Sequence, residues 1–346
     1  MLKLHPDSTK LNNSTANARS FISSSILNQM RAVRILLPLL FIATSIAFFS
    51  NIYTTTQQLV ISPSSDTTLD SPTISPSTTP TPVPALTIGL AGDLGLGRHI
   101  TSTARSKNDF TWSFKEISPW LMENTFNLAN LESPIIPLCP EGKTGTFTFC
   151  GDERFIPELA KNKFFLNLNN NHILNYHPQG LIDTKNLLTR ASIPYFFDDL
   201  LIKEVNGVRL GFLGYDFITY PSLDKQKIID TIKTSKPKVD YLFISIHWGN
   251  EYLPVAEKWR VDFARQMVDA GADIIHGHHP HVWQGVEKYK DSLIFYSFGN
   301  FVFDQSWSYE TSHSQIARLK IQKGEPLTYE LFPIEIRSNS QPVLMP

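Results

Sequence analysis

The chain has 346 residues, 42% of them hydrophobic, and a formal net charge of -1 at pH 7. A charge so close to neutral gives no basis for nucleic acid as a partner, and none is predicted. The only cysteines are Cys139 and Cys150, too few and wrongly spaced for a zinc–thiolate framework. They are either free buried thiols or one disulfide closing a small loop. The disulfide is favoured if this part of the chain lies outside the cell.

Residues 35–53 form an uncharged apolar run, ILLPLLFIATSIAFFSNIY. A helix of this length would span the roughly 30 Å hydrocarbon core of a bilayer. Lys and Arg dominate the charges before the run, and neither occurs after it until Arg98. The positive-inside rule therefore predicts a single-pass anchor in the cell membrane, with residues 1–34 cytoplasmic and the C-terminal domain extracellular. A cleaved signal peptide is the competing interpretation, although no clear cleavage site follows the run.

Residues 54–84 are dominated by Thr, Ser and Pro. Such a segment cannot bury enough apolar surface to offset the entropy lost on ordering, so we predict a semi-extended stalk. The remaining residues, 85–346, have the usual size of one large α/β domain.

Within this domain, short apolar runs alternate with helical patterns. Helices are predicted at 180–191 and 255–270, the second with Trp259, Phe263 and Met267 four residues apart on one face and Gly271 at its end. The strand candidates are 86–91, 126–131, 164–168, 208–214, 241–246, 274–276 and 293–297, with further strands at 316–321 and 328–336.

Polar side chains follow five of these predicted strands. Open α/β sheets bind ligands at the carboxyl ends of their strands, so the five groups suggest one shared site. Carboxylate, amide and imidazole groups suit Zn, Mn or Fe, which predicts one or two divalent ions. The residues are Asp93, Glu132, Asn170 to His172, His247, and the histidines His276, His278, His279 and His281.

Each of these residues also has an ordinary structural interpretation. An Asp after a strand commonly caps a helix or forms a turn, and Asn171 fits a turn residue with left-handed backbone angles. Glu132 could be a surface carboxylate and His247 a core histidine. Only the 276–281 run favours metal binding by itself. Dinucleotide, P-loop and nucleophile-elbow motifs are absent from the sequence, and no histidine flanks the cysteines for thiol catalysis.

Six ordered segments resemble the CapA family of poly-γ-glutamate capsule synthesis proteins. They are GDLGLGRH, NLANLESPI, NLNNNH, SIHWGNEY, GADIIHGHHPHVWQGVE and FYSFGNFVFDQ, and the likeness runs from residue 86 to about residue 304. That family is related to calcineurin-like metallophosphoesterases. The resemblance implies an α/β fold of metallophosphoesterase type, a four-layer α/β/β/α sandwich, preceded here by the N-terminal transmembrane helix.

The resemblance also implies a role for each matched residue. His172 would be the catalytic histidine, and Glu132 the acidic ligand between two metals. His278 falls at a variable position and is a reserve ligand. The implied metal ligands are Asp93, Glu132, Asn171, His247, His279 and His281.

Three features depart from the family pattern. The usual D-x-H motif has Gly95 at its third position, which would leave one metal with Asp93, Glu132 and His281 unless His99 substitutes. An Asp usually follows the catalytic histidine by three residues, but this chain has Asn175 there. The segment containing both cysteines looks like an addition.

The implied function is synthesis, export or anchoring of poly-γ-glutamate or a related capsule polymer, with the anionic polymer and membrane synthase subunits as partners. In a metal-dependent hydrolase of phosphoesterase type, the metal would activate water and His172 would protonate the leaving group. Arg98 would pair a non-bridging oxygen, but it fits a surface arginine equally well. Asn300 either lines the same cleft or caps a turn.

Two other functions remain open. One is a non-catalytic module that binds the polymer or a synthase and holds a structural or vestigial metal. The other is a metal-dependent enzyme acting on the amide bonds of the polymer. A catalytic metal keeps an open position for water, whereas a structural metal is closed.

Overall fold

The computed structural model describes residues 85–140 and 145–346. The predicted cytoplasmic segment, anchor and stalk lie outside the described residues. Among the helices that are described, none is long and apolar enough to cross a membrane.

Sixteen strands are present in this part of the chain. In chain order they are β1 (Leu86–Leu94), β2 (Phe126–Leu131), β3 (Ile135–Ile136), β4 (Gly151–Asp152), β5 (Phe164–Asn167), β6 (Tyr195–Phe196), β7 (Leu201–Val205), β8 (Val208–Asp216), β9 (Tyr241–His247), β10 (Ile274–His278), β11 (Val286–Tyr289), β12 (Ser292–Phe295), β13 (Asn300–Val302), β14 (His313–Ile321), β15 (Thr328–Arg337) and β16 (Gln341–Leu344).

Helices connect many of these strands. They are α1 (Arg98–Lys107), α2 (Ser118–Met122), α3 (Ile156–Lys161), α4 (His177–Arg190), α5 (Lys225–Ser235), α6 (Lys258–Asp269) and α7 (Tyr309–Ser312), with 3-10 turns at Trp112–Phe114, Glu153–Phe155 and Lys236–Lys238.

The strands form two large sheets and one small one. The first has the order β16-β15-β14-β1-β2-β5-β6, with β13 also pairing with β1, and the second has the order β11-β12-β10-β9-β8-β7. Strands β3 and β4 pair separately. The neighbours β1, β2, β5 and β6 run parallel, as do β8, β9, β10 and β12. Parallel strands end at the same edge, so each large sheet gathers several strand ends together.

Three buried apolar clusters hold the layers together. One joins helices α1 to α4 to the first sheet, and another joins α5 and α6 to the second. The third lies between the sheets, where the rings of Phe165 and Phe212 have centroids 4.3 Å apart. Both faces of each central strand are therefore buried, which explains why the strands read as continuous apolar runs.

The mixed α/β class is confirmed, and every predicted strand is present. Five predicted strand ends were too early, because β1, β8, β9, β10 and β15 continue through Leu94, Asp216, His247, His278 and Arg337. Two were too late, because β5 and β12 end at Asn167 and Phe295. Helix α6 begins at Lys258, later than predicted, and Trp259 is 37% exposed rather than fully on the buried face. Cys139 and Cys150 form a disulfide, so the free-thiol alternative is wrong.

Candidate metal centre

The carboxyl ends of the two large sheets meet at one place. In the first sheet Asp93 pairs with Asn130, and in the second His278 pairs with His247. The sheets are linked directly, because Nε2 of His276 lies 2.9 Å from the carbonyl oxygen of Ala91. The strand ends therefore bring together polar side chains that are far apart in sequence.

Glu132 is at the middle of this cluster. It follows β2, its side chain is fully buried, and neither carboxylate oxygen has a hydrogen-bond partner. Oε1 lies 3.6 Å from Nε2 of His247, 3.7 Å from Nε2 of His281 and 4.0 Å from Nε2 of His172. Burial, and then the charge of Asp93, raise the pKa of Glu132 well above its usual range. A cation would offset the cost of burying this unpartnered carboxylate.

Two groups of ligand atoms share Glu132. Glu132, His279 and His281 form one group, and Asp93, Glu132 and His247 form the other, with the atoms of each group within 4.8 Å of one another. Asn171 joins the second group, because its Oδ1 lies 2.8 Å from Nε2 of His247. Carboxylate, imidazole and amide donors at these separations fit a divalent transition metal.

These groups differ from the predicted set of Asp93, Glu132 and His281. The imidazole of His281 turns Nδ1 toward Oδ2 of Asp93, 3.2 Å away, and Nε2 toward Oε1 of Glu132. One ring nitrogen therefore does not face both carboxylates.

Asn300 sets the orientation of His281. Its Nδ2 donates to the carbonyl oxygen of Thr311 at 3.0 Å, which leaves Oδ1 facing Nδ1 of His281, also at 3.0 Å. An amide oxygen only accepts, so His281 donates from Nδ1 and keeps the lone pair on Nε2. Two alternatives were predicted for Asn300, lining the cleft or capping a turn. In the structure Asn300 lines the cluster.

His278, the reserve ligand, contacts Asp93 but belongs to neither group. Its Nδ1 lies 3.3 Å from Oδ1 of Asp93, and its Nε2 lies 3.0 Å from Nδ1 of His276. Burial alone would raise the pKa of Asp93, but hydrogen bonds from His278 and His281 outweigh it and hold that pKa well below its usual range. Asp93 is thus held as a carboxylate.

Burial holds three imidazoles near the cluster in the neutral form. Burial lowers the pKa of His247 well below its usual value, and it lowers the pKa of His279 to about 3. Burial also lowers the pKa of His172 to about 4, against an opposing hydrogen bond to Asn175. Metal binding requires neutral imidazole, so His247 and His279 can coordinate a metal without first losing a proton from a cationic form.

The backbone between β10 and Val282 is strained at two ligand positions. His279 has φ of +94° and His281 has φ of +58°. Such angles cost on the order of 1–3 kcal/mol for a residue other than glycine and are concentrated at functional sites. The Nδ1 atom of His279 is buried without a hydrogen-bond partner. The fold therefore holds this imidazole in place for a contact that the protein alone does not supply.

Arg98 is not a surface residue, so that alternative is wrong. Its side chain is 9% exposed and forms a two-point ion pair with Asp304, and Nη1 lies 3.3 Å from the carbonyl oxygen of Thr146. A phosphate oxygen would compete with Asp304 for this guanidinium. His99, the proposed substitute ligand, instead places Nε2 3.1 Å from the hydroxyl of Thr103 on the same helix.

Asn130 is a functional position that the sequence reasoning missed. Its Nδ2 donates to Oδ1 of Asp93 at 2.9 Å and lies 3.3 Å from Nδ1 of His247. Its Oδ1 accepts from the amides of Asn167 and Asn170. Strand β2 is buried at every residue, and a polar amide inside such a strand must find partners. That requirement marks both Asn127 and Asn130 in the sequence, but it does not show which of them contacts the cluster.

Comparisons with known proteins agree with the sequence motifs. The profile of the family described as Bacterial capsule synthesis protein PGA_cap matches residues 87–305. The capsule biosynthesis protein CapA of Bacillus anthracis is 31% identical over 287 residues, with 74% of this chain and 68% of that protein covered. The PGA biosynthesis protein CapA of Bacillus subtilis (strain 168) is 29% identical over 274 residues, with 72% of each chain covered.

Solved structures give a weaker likeness. An archaeal phosphodiesterase covers 71% of this chain and 99% of its own, at 12% identity and a TM-score of 0.33. A likeness at that level carries no conclusion about activity.

Proposed function

Since the chain belongs to the bacterial capsule synthesis family PGA_cap, we propose that it acts in synthesis, export or anchoring of poly-γ-glutamate or a related anionic polymer, through a metal-dependent hydrolase-type site. Its partners are the polymer and membrane synthase subunits. The fold is of metallophosphoesterase type, a four-layer α/β/β/α sandwich, and the three apolar clusters between helices and sheets support this.

Glu132 carries the proposal of a metal site. A fully buried carboxylate with two unpartnered oxygens, shared by two groups of potential ligands, is the arrangement expected of an acidic residue between two ions. When bound, divalent Mn, Zn or Fe would supply Lewis-acid activation of water and positive charge for an anionic substrate.

At Nε2, which carries the lone pair, His172 first accepts a proton from the attacking water and then donates it to the leaving group. Its Nδ1 lies 3.0 Å from Oδ1 of Asn175 and is committed to that contact. Nε2 points toward Glu132, 4.0 Å away, and so toward the cluster. In the proposed reaction Arg98 leaves Asp304 and pairs with a non-bridging oxygen of the phosphoester substrate. Alternatively, it keeps its ion pair with Asp304 and stabilises the residues that line the site.

The chain is anchored by residues 35–53, with residues 1–34 in the cytoplasm, residues 54–84 as a stalk and residues 85–346 as an extracellular domain. The distribution of Lys and Arg around the apolar run supports this topology. Protease added to intact cells is expected to release the 85–346 domain. Resistance of that domain until the cells are lysed would contradict the topology.

The alternative is a non-catalytic polymer-binding or synthase-partner module. A cavity of about 460 Å³ beside Asn170 bears on this choice, because it is lined by Asp198, Asp216 and Asp224 but only one lysine, Lys227. This excess of acidic groups does not favour binding of an anionic polymer in this cavity.

Elemental analysis of the purified full chain, followed by a phosphoester hydrolysis screen, tests the proposal. We expect one or two tightly held transition-metal ions, lost in His279→Ala with His281→Ala. His172→Ala is expected to abolish turnover and keep the metal. Turnover unaffected by His172→Ala would contradict its role. Absence of metal after supplementation with Mn, Zn and Fe would favour the binding module.

A further inference from the structure

Two hydrogen-bond donors meet at one oxygen of Asn175. The main-chain nitrogen of Phe149 lies 2.7 Å from Oδ1 of Asn175, and Nδ1 of His172 lies 3.0 Å from the same atom. A main-chain N–H can only donate, so the side-chain atom that it meets must be the amide oxygen. His172 therefore carries its proton on Nδ1 and its lone pair on Nε2.

The contact with Phe149 matters because the side chain is an amide. An asparagine offers an oxygen on one side and an NH₂ group on the other, with nearly the same shape. If the NH₂ group faced His172, Nδ1 would have to accept and the proton would move to Nε2. A carboxylate, which the family pattern has at this position, accepts with either oxygen. The main-chain N–H of Phe149 therefore fixes which side of the Asn175 amide faces His172. An Asp at this position would not need such a donor.

The ring of Phe149 fixes the plane of the imidazole. Its centroid lies 4.0 Å from that of the His172 ring, with an angle of 25° between the planes. The guanidinium carbon of Arg98 lies 4.3 Å from the same centroid. The phenyl ring therefore contacts both the imidazole and the guanidinium. Phe149 is 3% exposed, and Arg98 is itself fixed by Asp304.

The disulfide fixes the position of the Phe149 backbone. Cys150 is the next residue and is bonded to Cys139. The carbonyl oxygen of Cys139 accepts from Nη2 of Arg105 at 2.5 Å, and the same guanidinium pairs with Asp152 at 2.6 Å. Gly151 donates to the carbonyl oxygen of Pro134 at 2.7 Å. Both ends of the segment are therefore attached to the body of the domain.

We infer that the Cys139–Cys150 disulfide and the adjoining residue Phe149 form a positioning device for His172. Its main-chain amide at Phe149 orients Asn175, and Asn175 in turn places the proton of His172 on Nδ1. Phe149 is a positioning residue in this arrangement. Two departures from the family pattern, the added cysteine segment and Asn175, thus meet at one hydrogen-bonded group. The inference rests on the proposed function only in taking Nε2 of His172 as the proton-exchanging atom.

Nitrogen NMR of the ¹⁵N-histidine-labelled full chain tests this, with His172 assigned from its loss in His172→Gln. The wild type is expected to show separate ring nitrogen resonances with the proton on Nδ1. Cys139→Ser with Cys150→Ser is expected to lose that separation through exchange between tautomers. Adding Asn175→Asp to the double variant is expected to restore the proton to Nδ1, whereas Asn175→Asp alone should change little.

Phe149→Leu separates the two contributions of this residue. It keeps the main-chain donor and the disulfide, so the proton should stay on Nδ1 while the imidazole loses its stacked neighbour. A proton shifted to Nε2 in Phe149→Leu would overturn the assignment to the main-chain amide. An unchanged Nδ1 proton in the double serine variant would overturn the role of the disulfide.

The buried His276 is the internal control for folding. Its Nε2 faces the carbonyl oxygen of Ala91, away from the segment, and its resonance should persist when that of His172 changes. If the double serine variant loses the His276 resonance as well, Phe149→Leu still decides the inference. Absence of metal or of hydrolysis would count against the proposed function and would leave the tautomer result standing.

Discussion

The ring of Phe303 lies so close to Gly95 that a Cβ atom at position 95 would come within 2.5 Å of it. The same ring contacts His281, with centroids 4.9 Å apart. Phe303 therefore fills the volume beside His281 that a histidine at position 95 would need. The histidine that the family resemblance leads one to expect at position 95 would therefore clash with Phe303.

Gly95→His alone is expected to lower stability by roughly 1–3 kcal/mol, because overpacking displaces Phe303. Gly95→His with Phe303→Ala has the room and is expected to recover stability and bind metal more tightly than the wild type. Urea unfolding and competition with a chelator measure the two quantities. Tighter binding in the single variant at unchanged stability would mean that Phe303 does not exclude the imidazole.

Asn300→Ala is expected to weaken metal affinity about 10- to 100-fold, as loss of a group that orients a ligand usually does. The reason is that His281 would no longer be held with its lone pair on Nε2. Asn127→Ala is the matched control, since Asn127 is another buried amide that bonds only to Leu121, Asn124 and Asn162. It should lower stability and leave the affinity unchanged. Equal affinities in the two variants would refute the orienting role.

Glu132→Gln is expected to stabilise the metal-free protein by roughly 1–3 kcal/mol, because it removes the cost of burying a carboxyl group whose pKa is raised well above its usual range. It should also abolish the gain in thermal stability on adding Mn or Zn. Glu158→Gln is the control: Glu158 is buried too, but it is bonded to Lys161 and Asn162, so its replacement should destabilise the protein with or without metal. Destabilisation of the chelated protein by Glu132→Gln would contradict the prediction.

Asp152 makes stability depend on acid pH. Hydrogen bonds from Arg154, and additionally from Arg105, hold the pKa of Asp152 well below its usual range. The unfolded chain, with a pKa near 3.9, binds the proton first, so the contribution is present above about pH 5 and is lost as the pH falls toward the folded value. Asp152→Asn should cost roughly 1–3 kcal/mol at pH 7 and much less near pH 2. Urea unfolding at both pH values checks this, and an equal loss at both would be inconsistent with it.

The sequence predicted the strands well and their ends less well. Periodicity and apolar runs report burial, and the central strands are buried on both faces. The runs stop where Asp93, His247 and His278 begin, yet backbone pairing continues through these residues because their side chains face the cluster rather than water. A polar residue was therefore taken to end the strand although its backbone is still paired within it.

The residues around the cluster could be predicted only in part. The matched motifs named Asp93, Glu132, Asn171, His172 and His247, and the structure brings these close together. The partners that orient them were missed where they lie far away in sequence. Asp304 pairs with Arg98 across 206 positions, and no local pattern reports such a contact. Phe149 was missed for the same reason, since its main-chain contact with Asn175 joins residues 26 positions apart.

The residues around Glu132 come from both large sheets, with Asp93 and Asn171 on the first and His247, His279 and His281 on the second. Neither half of the chain holds a complete set of ligands, so an ion can be bound only after the sheets have docked. Binding by the complete set of ligands is then a late event in folding. Opening of the sheets at this edge would break the set, so we expect the lifetime of the bound ion to depend on the frequency of that opening as well as on the strength of each ligand bond.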